Sequence, residues 1–92
     1  MPVSRVHVSV RGVVQGVFFR SSARERALTL GIKGWIKNRG DGSVEAVFEG
    51  KKDAVEKILD WCKKGPSGAI VEDMDIHWEE HTGEFDDFSI IY

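Results

Sequence analysis

The stretch Val6-His7-Val8-Ser9-Val10-Arg11-Gly12-Val13-Val14-Gln15-Gly16-Val17-Phe18-Phe19-Arg20 changes its periodicity partway along. Val6, Val8 and Val10 alternate with His7, Ser9 and Arg11, the period-two pattern of a strand buried on one face. From Arg20 onward the apolar positions fall at Ala23, Ala27 and Leu30, a helical spacing that Gly31 stops; Leu28 fits that face poorly. Between strand and helix lies a glycine-interrupted turn from Gly12 to Phe19. A strand that feeds a helix through such a turn leaves free backbone N–H groups at the helix N-terminus. Partial positive charge gathers there, and an anion can be held. Arg20, placed where the helix begins, adds a planar fork of donors matched to phosphate oxygens.

Working outward, Ile32 to Asn38 reads as a second strand, and Val44, Ala46 and Phe48 mark a third. Arg39-Gly40-Asp41-Gly42 joins them, with Asp-Gly as the hairpin signal. A second helix is expected from about Lys52 to Lys64, with Val55, Ile58, Leu59 and Cys62 on one face, Asp53 near its positive end and Gly65-Pro66 as its stop. Met74, Ile76 and Trp78 alternate with acidic residues and His77 in a fourth strand, and Phe88, Ile90 and Tyr92 suggest a short fifth. The order β-α-β-β-α-β with a terminal strand predicts an α+β fold, the ferredoxin-like α/β sandwich, with two helices on one face of an antiparallel sheet. In that topology the first and second strands are parallel but not adjacent. Both deliver their C-terminal ends to one edge of the sheet, so Arg20 and Asn38 are expected to meet there.

Composition bounds the function. A chain of 92 residues, 41% hydrophobic and 30% charged, is expected to be one domain over residues 1–92 with one core. No apolar run is long enough to span a bilayer and the first residues lack the apolar centre of a secretory signal, so no membrane association and a cytoplasmic location are expected. Cys62 is the only cysteine, which rules out an intramolecular disulfide. The net charge of −2 hides a division: residues 1–64 carry all 13 basic groups and 7 acidic ones, while residues 65–92 carry 8 acidic groups and no basic one. The two segments should attract each other within one polarised fold, whose basic portion suits an anionic substrate.

The second strand and its hairpin contain Gly34-Trp35-Ile36-Lys37-Asn38-Arg39-Gly40-Asp41-Gly42-Ser43-Val44. Taken with Gly12-Val13-Val14-Gln15-Gly16-Val17-Phe18-Phe19-Arg20, it resembles the pair of signatures of the acylphosphatase family; Gly65-Pro66-Ser67-Gly68-Ala69-Ile70-Val71 and the C-terminal Phe88-Ser89-Ile90 extend the resemblance over nearly the whole chain. The resemblance implies the same ferredoxin-like fold and hydrolysis of acyl phosphates to carboxylate and phosphate. It implies that the backbone amides of Gln15, Gly16, Val17, Phe18 and Phe19, with the Arg20 side chain, bind the phosphoryl group. Asn38 would orient the attacking water. Arg20 and Asn38 are thus the candidate catalytic residues. Because an acyl phosphate is already activated, neither a metal nor another cofactor is expected. The partners implied are the small acyl phosphate and phosphate, with no nucleic acid, and the chain is expected to be a monomer. Phe18 stands where many relatives have glycine, Ile36 where smaller aliphatics are common and Ile91 where arginine is frequent. Tyr92, if the last strand ends beside the site, would bring a carboxylate toward Arg20.

Other readings stay open at this level. A non-catalytic ferredoxin-like module for an anion or nucleic acid has the same order of elements, and an acylphosphatase-like domain aiding carbamoyl transfer shares the signatures. Cys62 as a nucleophile lacks a following arginine, and the helix-face pattern favours a packed thiol. His7, His77 and His81 are expected to be solvated, as is the acidic run from Glu72 to Asp87. Trp35 is open between a packed side chain and a substrate platform, and Lys37 and Arg39 are expected to face solvent.

Overall fold

The structure, a computed structural model, describes residues 3–92. Its elements are β1 (Val3–Val13), α1 (Phe19–Thr29), β2 (Lys33–Asn38), β3 (Val44–Lys51), α2 (Lys52–Lys64), β4 (Ile70–Glu79) and β5 (Phe88–Ile91). The strands form one sheet in the order β4-β1-β3-β2-β5. β1 and β2 both run antiparallel to β3 between them, so they are parallel to each other and end at the same edge, as the sequence predicts. The expected antiparallel sheet is the frame of β4, β1, β3 and β2. β5 adds to β2 in parallel, which makes the whole sheet mixed.

The core lies between the sheet and the two helices. Val6, Val8 and Val10 of β1, Ile36 of β2 and Ala46 and Phe48 of β3 are buried against Ala23 and Ala27 of α1 and against Val55, Ile58, Leu59 and Cys62 of α2. Alanines on the inner face of α1 let that helix settle close to the sheet, while α2 fills the remaining depth with larger side chains. Leu28 is left exposed, as its position off the helical stripe implies.

Gly34 explains how β5 attaches. It pairs with Phe48 on one side and Phe88 on the other. The two phenylalanine rings stack across it, 5.5 Å between centroids and 12° between planes, and both are fully buried. A Cβ at Gly34, where φ is 135°, would stand 2.0 Å from the Val47 carbonyl oxygen. The glycine therefore permits both the backbone conformation and the closure of two aromatic rings over the strand between them.

The charge division of the sequence is realised along the β1–β4 ladder. Arg5 bonds Glu79 and Glu84, and Arg11 pairs with Asp73 and Asp75. Several boundaries depart from the sequence pattern. β1 continues through Gly12 and Val13, which pair with Val71 and Ile70 after a register shift, so the turn proper is shorter than the sequence suggests and β4 starts earlier. α1 begins at Phe19, one residue before Arg20. Among the described residues, no helix is long and apolar enough to cross a membrane.

Candidate active site

The loop between β1 and α1 takes its shape from two left-handed residues. Gly16 has φ 74°, which glycine adopts freely, and Phe18 has φ 62° and ψ 26° as the residue that caps α1. For a bulky side chain this conformation costs about 1–2 kcal/mol. Two hydrogen bonds hold it in place: the Phe18 carbonyl accepts the Ser22 N–H at 3.0 Å and the Ser21 hydroxyl at 3.2 Å. No side chain caps the helix and no acidic residue sits in its first turn. Ser22 is thus the first helical amide with a backbone acceptor, and the helical amides ahead of it have none.

Phe19, next along, is buried and packs its ring against Trp61 at 5.3 Å between centroids. That contact anchors the start of α1 to α2 and sets the direction in which Arg20 leaves the helix. Arg20 is half-buried and forms no ion pair with any carboxylate among the described residues; its guanidinium carbon lies 5.1 Å from the centroid of the Tyr92 ring. The ring of Tyr92, and not the expected carboxylate, is the group set against Arg20.

Asn38 closes β2 opposite Val44. Its Oδ1 is buried and accepts no hydrogen bond from the protein. A buried amide oxygen left without a donor is costly, about 1–3 kcal/mol, and the donor hydrogen of a water matches such an atom. One concavity of about 270 Å³ is lined by Gly16, Phe18, Phe19, Arg20 and Asn38, with Ile90 and Tyr92 at its side. The structure therefore brings Arg20, Asn38 and three of the turn residues to one cavity. Of the other two, Val17 is half-buried in the loop beside it and Gln15 has a separate task. A larger groove, about 430 Å³, runs along Arg26, Trp61 and Pro66 and contains neither signature.

Gln15 acts through its side chain as well as its backbone. Its Nε2 donates to the Arg39 carbonyl at 2.8 Å and to the Ser43 carbonyl at 2.9 Å. The hairpin it grips is itself tied: Arg39 N–H donates to the Ser43 carbonyl at 2.8 Å, while the Asp41 carboxylate accepts from the Ser43 hydroxyl at 2.6 Å and the Ser43 amide at 3.0 Å. These donors hold Asp41 below the usual aspartate range, the hydroxyl first and the amide second. Gln15 thus ties the β1–α1 loop to the hairpin beyond Asn38. The sequence carries no sign of this tie, because a glutamine between glycines has no partner that spacing alone can name.

Residues away from the concavity have other roles. Burial pushes the Cys62 thiol up to about 12, so it is a packed side chain without thiolate character. Trp35 lies on the open face of the sheet, tilted against His7 at 6.3 Å and beneath Lys37, away from the concavity. His7 is not simply solvated, since its Nε2 lies 2.6 Å from Glu45 Oε2, and His81 approaches Glu49. Lys37 approaches Glu45, and Arg39 donates to the Ser9 hydroxyl. The acidic run is only partly a solvated face, given the pairs of Asp73, Asp75, Glu79 and Glu84 with arginines.

Known proteins resemble this chain in both sequence and fold. The acylphosphatase family matches residues 6–90. An acylphosphatase of Pyrobaculum aerophilum is 56% identical over 92 residues, covering 99% of this chain and 97% of its own length. The structure of an acylphosphatase from Coxiella burnetii superposes with a TM-score of 0.92 at 36% identity, over 97% of this chain and 93% of that one. The acylphosphatase of Bacillus subtilis gives 0.93 at 32% identity, over 97% and 99%.

Proposed function

The chain belongs to the acylphosphatase family, and on that premise we propose how its residues divide the work of hydrolysing an acyl phosphate. The activity is that of a hydrolase acting on carboxyl-phosphate anhydrides. In the proposed arrangement the free amides of Gln15 to Phe19 and the guanidinium of Arg20 hold the phosphoryl oxygens. Charge spreads over those oxygens as the bond to the acyl oxygen lengthens, so donors already fixed in place stabilise the transition state more than the ground state. Asn38 Oδ1 accepts a hydrogen from a water and aims the water's lone pair at phosphorus on the side opposite the leaving carboxylate. The P–O bond to the acyl group breaks, a P–O bond to the water oxygen forms, and the water's proton passes to a phosphoryl oxygen. The carboxylate departs as a weak base, so no protein acid is needed. In this scheme every step is carried by the chain's own groups and the substrate, without metal or cofactor.

The observation that carries these roles is the conjunction at one concavity of an arginine without a carboxylate partner and a buried amide oxygen without a donor. We further propose that residues 1–92 act as one domain, monomeric and cytoplasmic. An anion-binding module without turnover, or a domain confined to carbamoyl transfer, is not favoured, because relatives matched over nearly their whole length are acylphosphatases.

The test is hydrolysis of benzoyl phosphate in excess chelator by the native chain, Asn38→Ala and Arg20→Ala. Metal-independent turnover is expected, reduced in both variants, with inhibition by inorganic phosphate surviving in Asn38→Ala and weakened in Arg20→Ala. Turnover that persists in Asn38→Ala removes Asn38 from the mechanism, and turnover that the chelator abolishes removes the metal-free scheme.

A further inference from the structure

We propose that the ring of Phe18, with the ring of Tyr92 lining the same concavity, forms the subsite for the acyl end of the substrate, and that the enzyme favours acyl phosphates whose acyl group is aromatic. The proposal rests on the assignment of this concavity as the acyl phosphate site, and it adds to that assignment a substrate class.

Four observations converge on Phe18. It is the one residue other than glycine with positive φ among the described residues. A bulky side chain in that region is an outlier, and Gly16 shows the same turn accepting glycine two positions earlier. The side chain gives nothing back to the core, since it is 81% exposed whereas its neighbour Phe19 is 2% exposed and packed on Trp61. The backbone of Phe18 is held by the Ser22 amide and Ser21 hydroxyl, so its ring is presented from a fixed point. Finally, the exposed ring lines the concavity shared by Arg20 and Asn38.

The chemistry of the rest of the cavity selects the ligand. With the phosphoryl group against the loop amides and Arg20, the acyl end must turn toward the remaining lining, which is Val14, Phe18, Ile90 and Tyr92. Tyr92 is 97% exposed, and its ring already faces the Arg20 guanidinium. The Ser21 hydroxyl is engaged by the Phe18 carbonyl. A small polar or doubly charged acyl group finds no dedicated partner on these surfaces, whereas a flat apolar one displaces water from two aromatic faces.

The experiment measures kcat/KM for benzoyl phosphate and acetyl phosphate with the native chain, Phe18→Gly and Phe18→Tyr. Because the two substrates differ in intrinsic reactivity, the readout is the change in their ratio and not the ratio itself. Phe18→Gly suits the left-handed backbone, and the benzoyl-to-acetyl ratio is expected to fall roughly five- to tenfold, while Phe18→Tyr keeps it near the native value. An unchanged ratio in Phe18→Gly overturns the subsite whatever happens to the absolute rates. A measurement on the native chain alone guards against poor folding of a variant: benzoylphosphonate, which cannot be hydrolysed in the same way, should inhibit more tightly than acetylphosphonate, and equal inhibition also overturns the proposal. Absence of turnover with either substrate in the native chain would instead remove the functional reading on which the subsite depends.

Discussion

Two arginines at opposite ends of the sheet are treated in opposite ways. Arg5, near the start of β1, is surrounded by carboxylates: it bonds Glu79 at 2.9 Å, Glu84 at 2.7 Å and Glu49 at 3.3 Å, and stacks over the ring of Phe85. Arg20, past the far end of the same strand, forms no such pair and faces a ring. The guanidinium is the same; its surroundings decide its use. Around Arg5 the Nε and Nη1 donors meet Glu79, Glu49, Thr82 and Glu84, and the outcome is a strap that holds residues 82–84 onto the sheet through the buried Glu49, which also accepts the Thr82 and Gly83 amides. Around Arg20 no carboxylate of the described residues takes up the donors, which suits the anion-binding role proposed for it.

The sharpest way to break this contrast is Arg20→Ala. A reduction of kcat/KM of roughly a thousandfold is expected, with thermal denaturation almost unmoved because no protein partner is stranded. A large drop in melting temperature would show that Arg20 is also structural. The complementary change, Arg5→Ala, is expected to cost about 2 kcal/mol in urea denaturation while leaving kcat per folded molecule intact. Nearly all of that cost comes from Glu49, since Glu79 and Glu84 are solvated and contribute little. Loss of kcat at full folding would blur the division between the two ends.

The strap also gives a pH dependence. Burial raises the Glu49 carboxyl, but the Thr82 and Gly83 amides and Arg5 outweigh it and hold it below the ordinary 4.5. The unfolded chain therefore binds the proton first as pH falls, and stability present above 4.5 declines through the acid range below it. Glu49→Gln should flatten that decline; an unchanged acid limb in urea titrations at several pH values would remove Glu49 from it.

Smaller effects refine the contrast at the Arg20 end. Gln15→Ala loosens the loop from the hairpin beside Asn38, and kcat is expected to fall about tenfold with a stability loss of about 1–2 kcal/mol. A change in KM alone would mean the tie serves binding and not alignment. Phe18→Gly should gain about 1 kcal/mol of stability by relieving the left-handed strain, read as a higher urea midpoint; a lower midpoint would show that the exposed ring supports the fold.

Much of the architecture is legible in residue patterns. Alternation at Val6, Val8 and Val10, the stripe from Val55 to Cys62 and Asp41-Gly42 each report a local periodicity or turn preference, and the core results from them. The parallel attachment of β5 lies beyond that kind of reading. Its ladder is made of backbone groups that every residue carries, and its selectivity comes from Phe48 and Phe88 meeting over Gly34, residues far apart in sequence. The end of β1 departs from its pattern for a related reason: Gly12 signals a turn locally, but pairing with Val71 keeps it in the sheet. The meeting of Arg20 and Asn38 at one concavity is legible because topology sends both strand ends to one edge. The grip of the Gln15 side chain and the strain at Phe18 are not, since both depend on tertiary positions of backbone groups.

The sheet order has a consequence for the chain as it leaves a ribosome. Both outer strands, β4 and β5, come from the last third of the sequence, yet they flank β1 and β2, which are made first. Until residues 70–91 have emerged, the early strands have bare edges on both sides and Phe48 has no ring to meet across Gly34. Pairing over such separations is slow compared with helix formation. Closure of the sheet must therefore wait until residues 70–91 have been made, and until then those edges are open to pairing with one another.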